Sequence, residues 1–267
     1  MQPFSVLIPV YYNDNVEHFK AAIRSVYEDQ TIRPTQIVIA IDGPLPEKLN
    51  EYVLNLEKKP IITCVWSPVN NGLGVALNRG LDQCRYEIVA RMDSDDVAYP
   101  TRFEKQLKLI ESNDLISSHL AEFSESIDKV ESCRKALTKE LISQKYWLRN
   151  PFNHPSVMFR KSSVLTAGGY VQMPLFEDWY LWIRMINQGA RCDNINEPLV
   201  YFRSDLRQLN RRRGLMYLKH EIHFVRTLKR QNYISSIQLC TRVVISIMFR
   251  LLPMRAFKFI TKVLLRK

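Results

Sequence analysis

Three aspartates within four residues, Asp93, Asp95 and Asp96, follow the short apolar run 87–92. A brief apolar run bounded by polar residues reads as a buried strand, so the carboxylates stand where that strand ends. Three acids this close repel one another unless a cation or solvent screens them. Hard oxygen donors suit Mg²⁺ or Mn²⁺, ions that commonly bridge a few carboxylates to phosphate oxygens. The same residues also suit an acidic, solvated turn ahead of the helix that Pro100 begins, where Asp is an ordinary N-terminal residue. A calcium-binding helix–loop–helix does not fit, because its loop needs glycine at the sixth position, where Ala98 stands.

A second pair of acids, Glu177 and Asp178, precedes the aromatic run Trp179, Tyr180 and Trp182. A positioned carboxylate can take the proton of an attacking hydroxyl, with the aromatic rings as an apolar or sugar-stacking wall. The plainer alternative is that both acids open a helix, whose dipole favours negative charge there. Asp42 closes an apolar run and could accept hydrogen bonds from a base or ribose; Asp42-Gly43-Pro44 also reads simply as a turn. Gly72, Ala76 and Gly80, four residues apart, make one smooth helix face for close approach to a sheet or ligand, and Arg79 beside them could pair with a phosphate. Gly72-x-Gly74 lacks the third glycine of a dinucleotide fingerprint, since Leu77 occupies that place. His154, in Asn153-His154-Pro155-Ser156, precedes a strand and could reach the same crevice. His220 and His223 have no third ligand nearby and read as surface or packing residues.

The elements that must hold these groups alternate. Strand patterns over 4–10, 36–41, 61–66 and 87–92 are separated by amphipathic stretches over 16–27, 46–57 and 72–84. This order implies a parallel sheet with helices on both faces, and the carboxyl ends of parallel strands share one edge where ligands bind. Residues 115–135 read as short, polar, strand-like pieces. Helices are expected over 138–148 and 176–187, strands over 156–160 and 195–202, and helix from 206 onward.

At 267 residues with 46% apolar content, the chain can bury one large core with an appendage. Five widely spaced cysteines argue against a disulfide framework and a zinc site and suit a reducing cytoplasm. The N-terminus runs into a strand without a signal-peptide pattern. Net charge is +11, but ten of the 38 Lys and Arg lie beyond Glu221, the last acid, which leaves 28 bases against 27 acids before it. The basicity belongs to a tail, whereas a nucleic-acid binder would spread it over its folded surface. Beyond Pro253, at about 100° per residue, Arg255, Lys258, Lys262 and Arg266 share one sector, with Phe257, Ile260, Val263 and Leu264 opposite. Such a helix can lie in an anionic membrane interface, or pack its apolar side on the domain.

Taken together, these motifs resemble family 2 glycosyltransferases of the GT-A fold, over about residues 4–205. The resemblance rests on Val6 to Tyr11, Ile41-Asp42-Gly43, Asn71 to Gly80, Asp93-Ser94-Asp95-Asp96, Asn153 to Ser156 and Glu177-Asp178-Trp179. Its flavour is that of bacterial enzymes building O-antigen, capsule or exopolysaccharide. It implies an α/β GT-A domain, Rossmann-like with a mostly parallel central sheet, over 1–230; the remaining 231–267 are the basic amphipathic helical tail read from the residues above. It implies a nucleotide-sugar donor, a UDP-sugar above all, contacted by Pro9, Val10, Tyr11, Asp42, Asn71, Arg79, Asp93 and Ser94. Asp95, with Asp93 and Asp96, would hold Mn²⁺ or Mg²⁺ in a DxD arrangement. Asp178 would be the catalytic base, Glu177 its less favoured neighbour, and His154 and Trp179 would meet the acceptor, a saccharide on a polyprenyl diphosphate. Transfer would invert the anomeric centre and add one sugar per encounter, because the Q-x-x-R-W signature of processive synthases is missing. The implied place is cytoplasmic, peripheral at the inner face of the membrane, with no nucleic-acid partner. A non-catalytic basic membrane- or nucleic-acid-binding protein is the rival; it explains the tail but leaves the acidic cluster unused. A nucleotidyltransferase would need a Gly-rich loop after the first strand, which 9–15 does not offer.

Overall fold

The computed structural model describes residues 2–204, 214–250 and 252. Its centre is a nine-stranded sheet in the order β3-β2-β1-β4-β8-β6-β9-β5, with β7 paired to β6. The strands are β1 (Phe4–Tyr11), β2 (Gln36–Asp42), β3 (Ile62–Val65), β4 (Ile88–Arg91), β5 (Val97–Ala98), β6 (Leu115–Phe123), β7 (Ser132–Arg134), β8 (Met158–Arg160) and β9 (Cys192–Arg203). The expected alternation over the first hundred residues forms as read: β1 pairs in parallel with β2 and β4, and β2 with β3. The other half is mixed. β8 lies antiparallel between β4 and β6, and β6 runs parallel to β9.

The helices are α1 (Val16–Tyr27), α2 (Glu47–Glu57), α3 (Leu73–Gln83), α4 (Arg102–Ile110), α5 (Lys139–Lys145), α6 (Lys161–Thr166), α7 (Glu177–Asn187), α8 (Gly214–Arg230) and α9 (Ser236–Arg250). The period-2 alternation of β1 sorts the core. Phe4, Val6, Ile8 and Val10 enter one cluster with Phe19 and Ile23 of α1, Val53 of α2 and Phe103 of α4. Leu7 enters the opposite cluster with Leu77 and Leu81 of α3 and Leu181 and Trp182 of α7. A third cluster joins Phe176, Trp179 and Ile183 to Phe224 and Leu228 of α8 and to Ile234.

One region departs from the sequence pattern. Residues 115–123 form a continuous nine-residue strand with every residue buried, where polar pieces were expected. Its polar side chains find partners inside: Glu122 accepts from Ser132 Oγ at 2.6 Å and from Arg134 Nε at 2.9 Å, and His119 Nδ1 accepts the Ala136 amide at 3.2 Å. Burial with satisfied hydrogen bonds costs little, so apolar patterning is not required. Among the described residues no helix is long and apolar enough to cross a membrane. The amphipathic segment beyond Pro253 lies outside the described residues.

Candidate active site

Because β1, β2 and β4 are parallel, their carboxyl ends open on one edge, and Tyr11 lies opposite Asp42 in the register. Past β4, Met92 donates its amide to Leu7 O at 3.0 Å, and the chain then crosses to β5 through the acidic stretch. Ligand oxygens of Asp93, Asp95 and Asp96 all lie within 4.8 Å of one another. Asp93 forms an ion pair with Nη2 of Arg91, a side chain only 2% exposed. Arg102, fully buried below, donates to Arg91 O at 2.6 Å and fixes the strand end.

Burial, and then the neighbouring Asp93 and Asp14, push the Asp95 carboxyl up to about 7. Burial first, then Asp93 and Asp95, raise Asp96 well above the usual carboxylate range. Asp96 Oδ1 accepts the Arg203 amide at 2.8 Å and so ties this loop to β9, while its Oδ2 is buried without a hydrogen-bond partner. Asp96 is therefore a scaffold anchor with one oxygen to spare, rather than only an assisting ligand. Crowded hard oxygens, one of them orphaned, fit a divalent cation.

Asp42 is 5% exposed, and its two carboxylate oxygens accept the amides of Asn71 at 2.8 Å and Gly72 at 2.9 Å. It thus holds the loop entering α3, a positioning task the sequence did not disclose. Asn71 adds a side-chain bond to Val69 O at 3.1 Å. Gly43, at φ 91°, makes that turn possible; a Cβ there would stand 2.8 Å from Asn70 N. Tyr11 and Tyr12 are exposed at the crevice rim, edge to face with centroids 5.6 Å apart. Pro9 is buried, and Val10 is 1% exposed with its side chain in the core, so only the backbone of Val10 can face a ligand. Ser94 is buried and hydrogen-bonds Asp14. Arg79 donates to Trp66 O. Gly80 is the glycine of close approach, since a Cβ would collide with Leu7 and stand 3.0 Å from Ala40 Cβ.

On the far wall, α7 begins with Glu177 and Asp178, both in its first turn. Asp178 Oδ2 accepts Asn150 Nδ2 at 2.8 Å. Burial, opposed by backbone hydrogen bonds, raises the Glu177 carboxyl, and Asp178 adds to the rise. Burial raises the Tyr170 hydroxyl above the usual phenol range, Arg91 opposes that rise, and Asp178 and Asp93 add to it; the hydroxyl meets His154 Nε2 at 3.0 Å. His154 packs against Trp182 with centroids 5.9 Å apart, and burial, then Arg91, holds its imidazole well below the ordinary range. It is a neutral packing residue behind the wall. Trp179 needs a correction: it is 6% exposed, its Nε1 donates to Tyr146 O at 2.6 Å, and its ring faces Phe224, so it cannot line an acceptor wall. Helical phase decides this, because α7 turns that position toward α8.

Sequence reasoning missed Arg91, Asp14, Asn150 and Tyr170. Asp14 follows the first strand, as Asp42 closes the second, and strand-end position alone could have singled it out. Its Oδ2 accepts the Tyr11 amide at 2.9 Å, and burial lifts its carboxyl to about 6.

The profile of Glycosyl transferase family 2 matches residues 5–167. The chain is 35% identical over 263 residues to the amylovoran biosynthesis glycosyltransferase AmsE of Erwinia amylovora, covering 96% of this chain and 97% of that protein. This chain belongs to glycosyl transferase family 2. The family 2 chain is also 33% identical to the UDP-Gal:alpha-D-GlcNAc-diphosphoundecaprenol beta-1,3-galactosyltransferase of Escherichia coli, over 99% of this chain and 97% of that one. Its fold is GT-A. S. aureus TarS in complex with UDP-GlcNAc superposes with TM-score 0.64 at 15% identity, over 84% of this chain and 66% of that chain. The mannosyltransferase PcManGT of Pyrobaculum calidifontis, in complex with GDP-Man and Mn²⁺, gives TM-score 0.64 at 14% identity, over 91% and 70%. The protein is accordingly a glycosyltransferase.

Proposed function

We propose that this glycosyltransferase moves one sugar from a UDP-sugar to a hydroxyl of a saccharide carried on a polyprenyl diphosphate, with inversion, in building a bacterial surface polysaccharide. The observation that carries the reading is the acidic cluster at the β4 end, with a second carboxylate pair opening α7. The relative from E. coli, named for a UDP-Gal donor and a diphosphoundecaprenol acceptor, supports the choice of donor and acceptor class.

In this reading Tyr11 stacks on the base, while Asp42, through the loop it holds, shapes the uridine pocket with Asn71. Asp93 and Ser94 meet the ribose and sugar. Asp95, with Asp93 and the free oxygen of Asp96, would hold Mn²⁺ or Mg²⁺. A dication held there would supply charge neutralisation of the departing diphosphate. Asp178, at the start of α7 and oriented by Asn150, takes the acceptor proton as the hydroxyl oxygen bonds to the anomeric carbon. The bond from that carbon to the diphosphate oxygen breaks, and its electron pair leaves with UDP. Glu177 is the weaker candidate for base.

The test is transfer from UDP-sugars to a synthetic lipid-linked saccharide with Mn²⁺ present. Activity is expected to vanish with EDTA and return with metal. Asp178→Asn should lower transfer by at least about a thousandfold, the scale of a lost general base with its orienting role, while UDP still binds in titration calorimetry. Near-normal turnover in that variant removes Asp178 as the base, and full activity in EDTA removes the metal.

A further inference from the structure

Arg203 closes β9, opposite Phe123 in the register with β6, and it touches the acidic stretch twice. Its amide donates to Asp96 Oδ1 at 2.8 Å, and its Nε donates to the backbone oxygen of Asp95 at 3.1 Å. The guanidinium centre lies 4.6 Å from the Phe123 ring centre. A carbonyl oxygen and an aromatic face thus hold this side chain, and neither cancels its charge. Among the described residues its two terminal nitrogens have no hydrogen-bond partner and it makes no ion pair with a carboxylate. Three other arginines are committed inside the fold. Arg91 is 2% exposed and paired with Asp93, Arg102 is fully buried against Arg91 O, and Arg79 donates to Trp66 O. Arg203 is only half-buried and keeps its fork open.

The charge of Arg203 is felt on two flanks of the crevice. Burial, then Asp93 and Asp14, raise the Asp95 carboxyl, and Arg203 opposes them. Burial, then Arg203, lowers the imidazole of His18 in the first turn of α1, the helix that follows the carboxyl end of β1. The cation therefore stands where the ends of β1 and β4 open, beside the carboxylates that fit a divalent ion. A planar fork with free nitrogens pairs with phosphate through two parallel hydrogen bonds, where an ammonium would act as a point charge. A nucleoside diphosphate parting from its sugar carries more negative charge than one dication neutralises. The share that develops as the bond breaks is stabilised by a second, fixed cation.

We propose that Arg203 is a catalytic residue that grips the departing diphosphate, its terminal nitrogens on phosphate oxygens beside the carboxylates that would hold the dication. This rests on the reading of a nucleoside diphosphate donor. The tie to Asp96 is made by the Arg203 backbone amide, so Arg203→Gln leaves it in place. In titration calorimetry with Mn²⁺, that variant should bind UDP about ten- to a hundredfold more weakly than the parent, the scale of lost charge-assisted hydrogen bonds. Uridine, followed by ligand-observed NMR, should bind both alike. Equal UDP affinity in the two proteins overturns the proposal. So does an equal loss of UDP and uridine, because Arg203 would then act only by shaping the nucleoside pocket. A parent that binds no UDP with Mn²⁺ overturns the donor reading itself, and the assignment of Arg203 with it. A second measurement uses the unaltered full chain, so it decides the matter even where the variant does not fold. Phenylglyoxal should modify Arg203, read by peptide mass spectrometry, and UDP with Mn²⁺ should block that modification where uridine does not. An Arg203 that stays unreactive in the free protein, or reacts equally with UDP bound, overturns the proposal.

Discussion

Two of the places where the protein buries acids are built in opposite ways. Glu221 meets two arginines, Arg242 and Arg250, and each of its oxygens has a charged donor. At the β4 end, Asp93, Asp95 and Asp96 stand with Asp14, and among the described residues the ion pair there is Arg91 to Asp93. There one carboxylate oxygen, Asp96 Oδ2, and Arg91 Nε and Nη1 stay without hydrogen-bond partners, whereas both Glu221 carboxylate oxygens are paired and Arg242 Nε is the atom left over in that triad among the described residues. A saturated buried charge fixes geometry; a surplus of buried negative charge is costly unless something else arrives to balance it. The difference separates scaffold from site more sharply than the number of acids does.

The comparison can be broken most directly at Asp95. Asp95→Asn should lower transfer by about a hundred- to a thousandfold, on the scale of a lost electrostatic contact to the transition state, with no fall in melting temperature, since one of several mutually repelling carboxylates is gone. A thermal melt that shows clear destabilisation instead would make Asp95 a scaffold residue. Glu221→Gln should do the reverse. Two buried guanidinium groups lose their counter-charge, at a cost of about 3–5 kcal/mol, read in urea denaturation, while the specific activity of the remaining folded protein persists. Replacing Glu221, Arg242 and Arg250 together by Met should recover most of that loss, because an apolar trio needs no charge balance; if it does not, the triad contributes more than pairing.

The smallest expected effect belongs to His154, behind the first cluster. Burial and then Arg91 hold its pKa well below 6.5 in the fold. Above pH 6.5 the imidazole is neutral in folded and unfolded chains alike. Below it the unfolded chain binds a proton that the fold refuses, so stability falls with pH, by at most about 1.4 kcal/mol per unit. His154→Asn should flatten the slope of unfolding free energy between about pH 6.5 and 5.5; an unchanged slope would show that the imidazole is free to protonate in place.

Much of the candidate site was legible in the sequence because parallel topology turns strand order into proximity. The ends of β1, β2 and β4 had to share an edge, so Tyr11, Asp42 and the acidic stretch were readable as one crevice. β6 was not legible, because Ser117, His119 and Glu122 hide their polarity in hydrogen bonds to Asn194, Ala136 and Ser132, partners outside the strand itself. Trp179 was misread for a related reason. Its position in an acidic-aromatic run says nothing of which helical side meets α8.

What the sequence determined by itself was local: the alternation of strands and helices, the family motifs, and the carboxylates at strand and helix ends. These depend on residue type and short-range period. The tertiary structure alone decided which acids are spent and which are spare. Asp42 is taken by the amides of residues 71 and 72, Asp96 half taken by Arg203, and Glu221 wholly taken by arginines that follow it in the chain. Solvation and pairing of a charge depend on what packs around it in space, and no short stretch of chain carries that information.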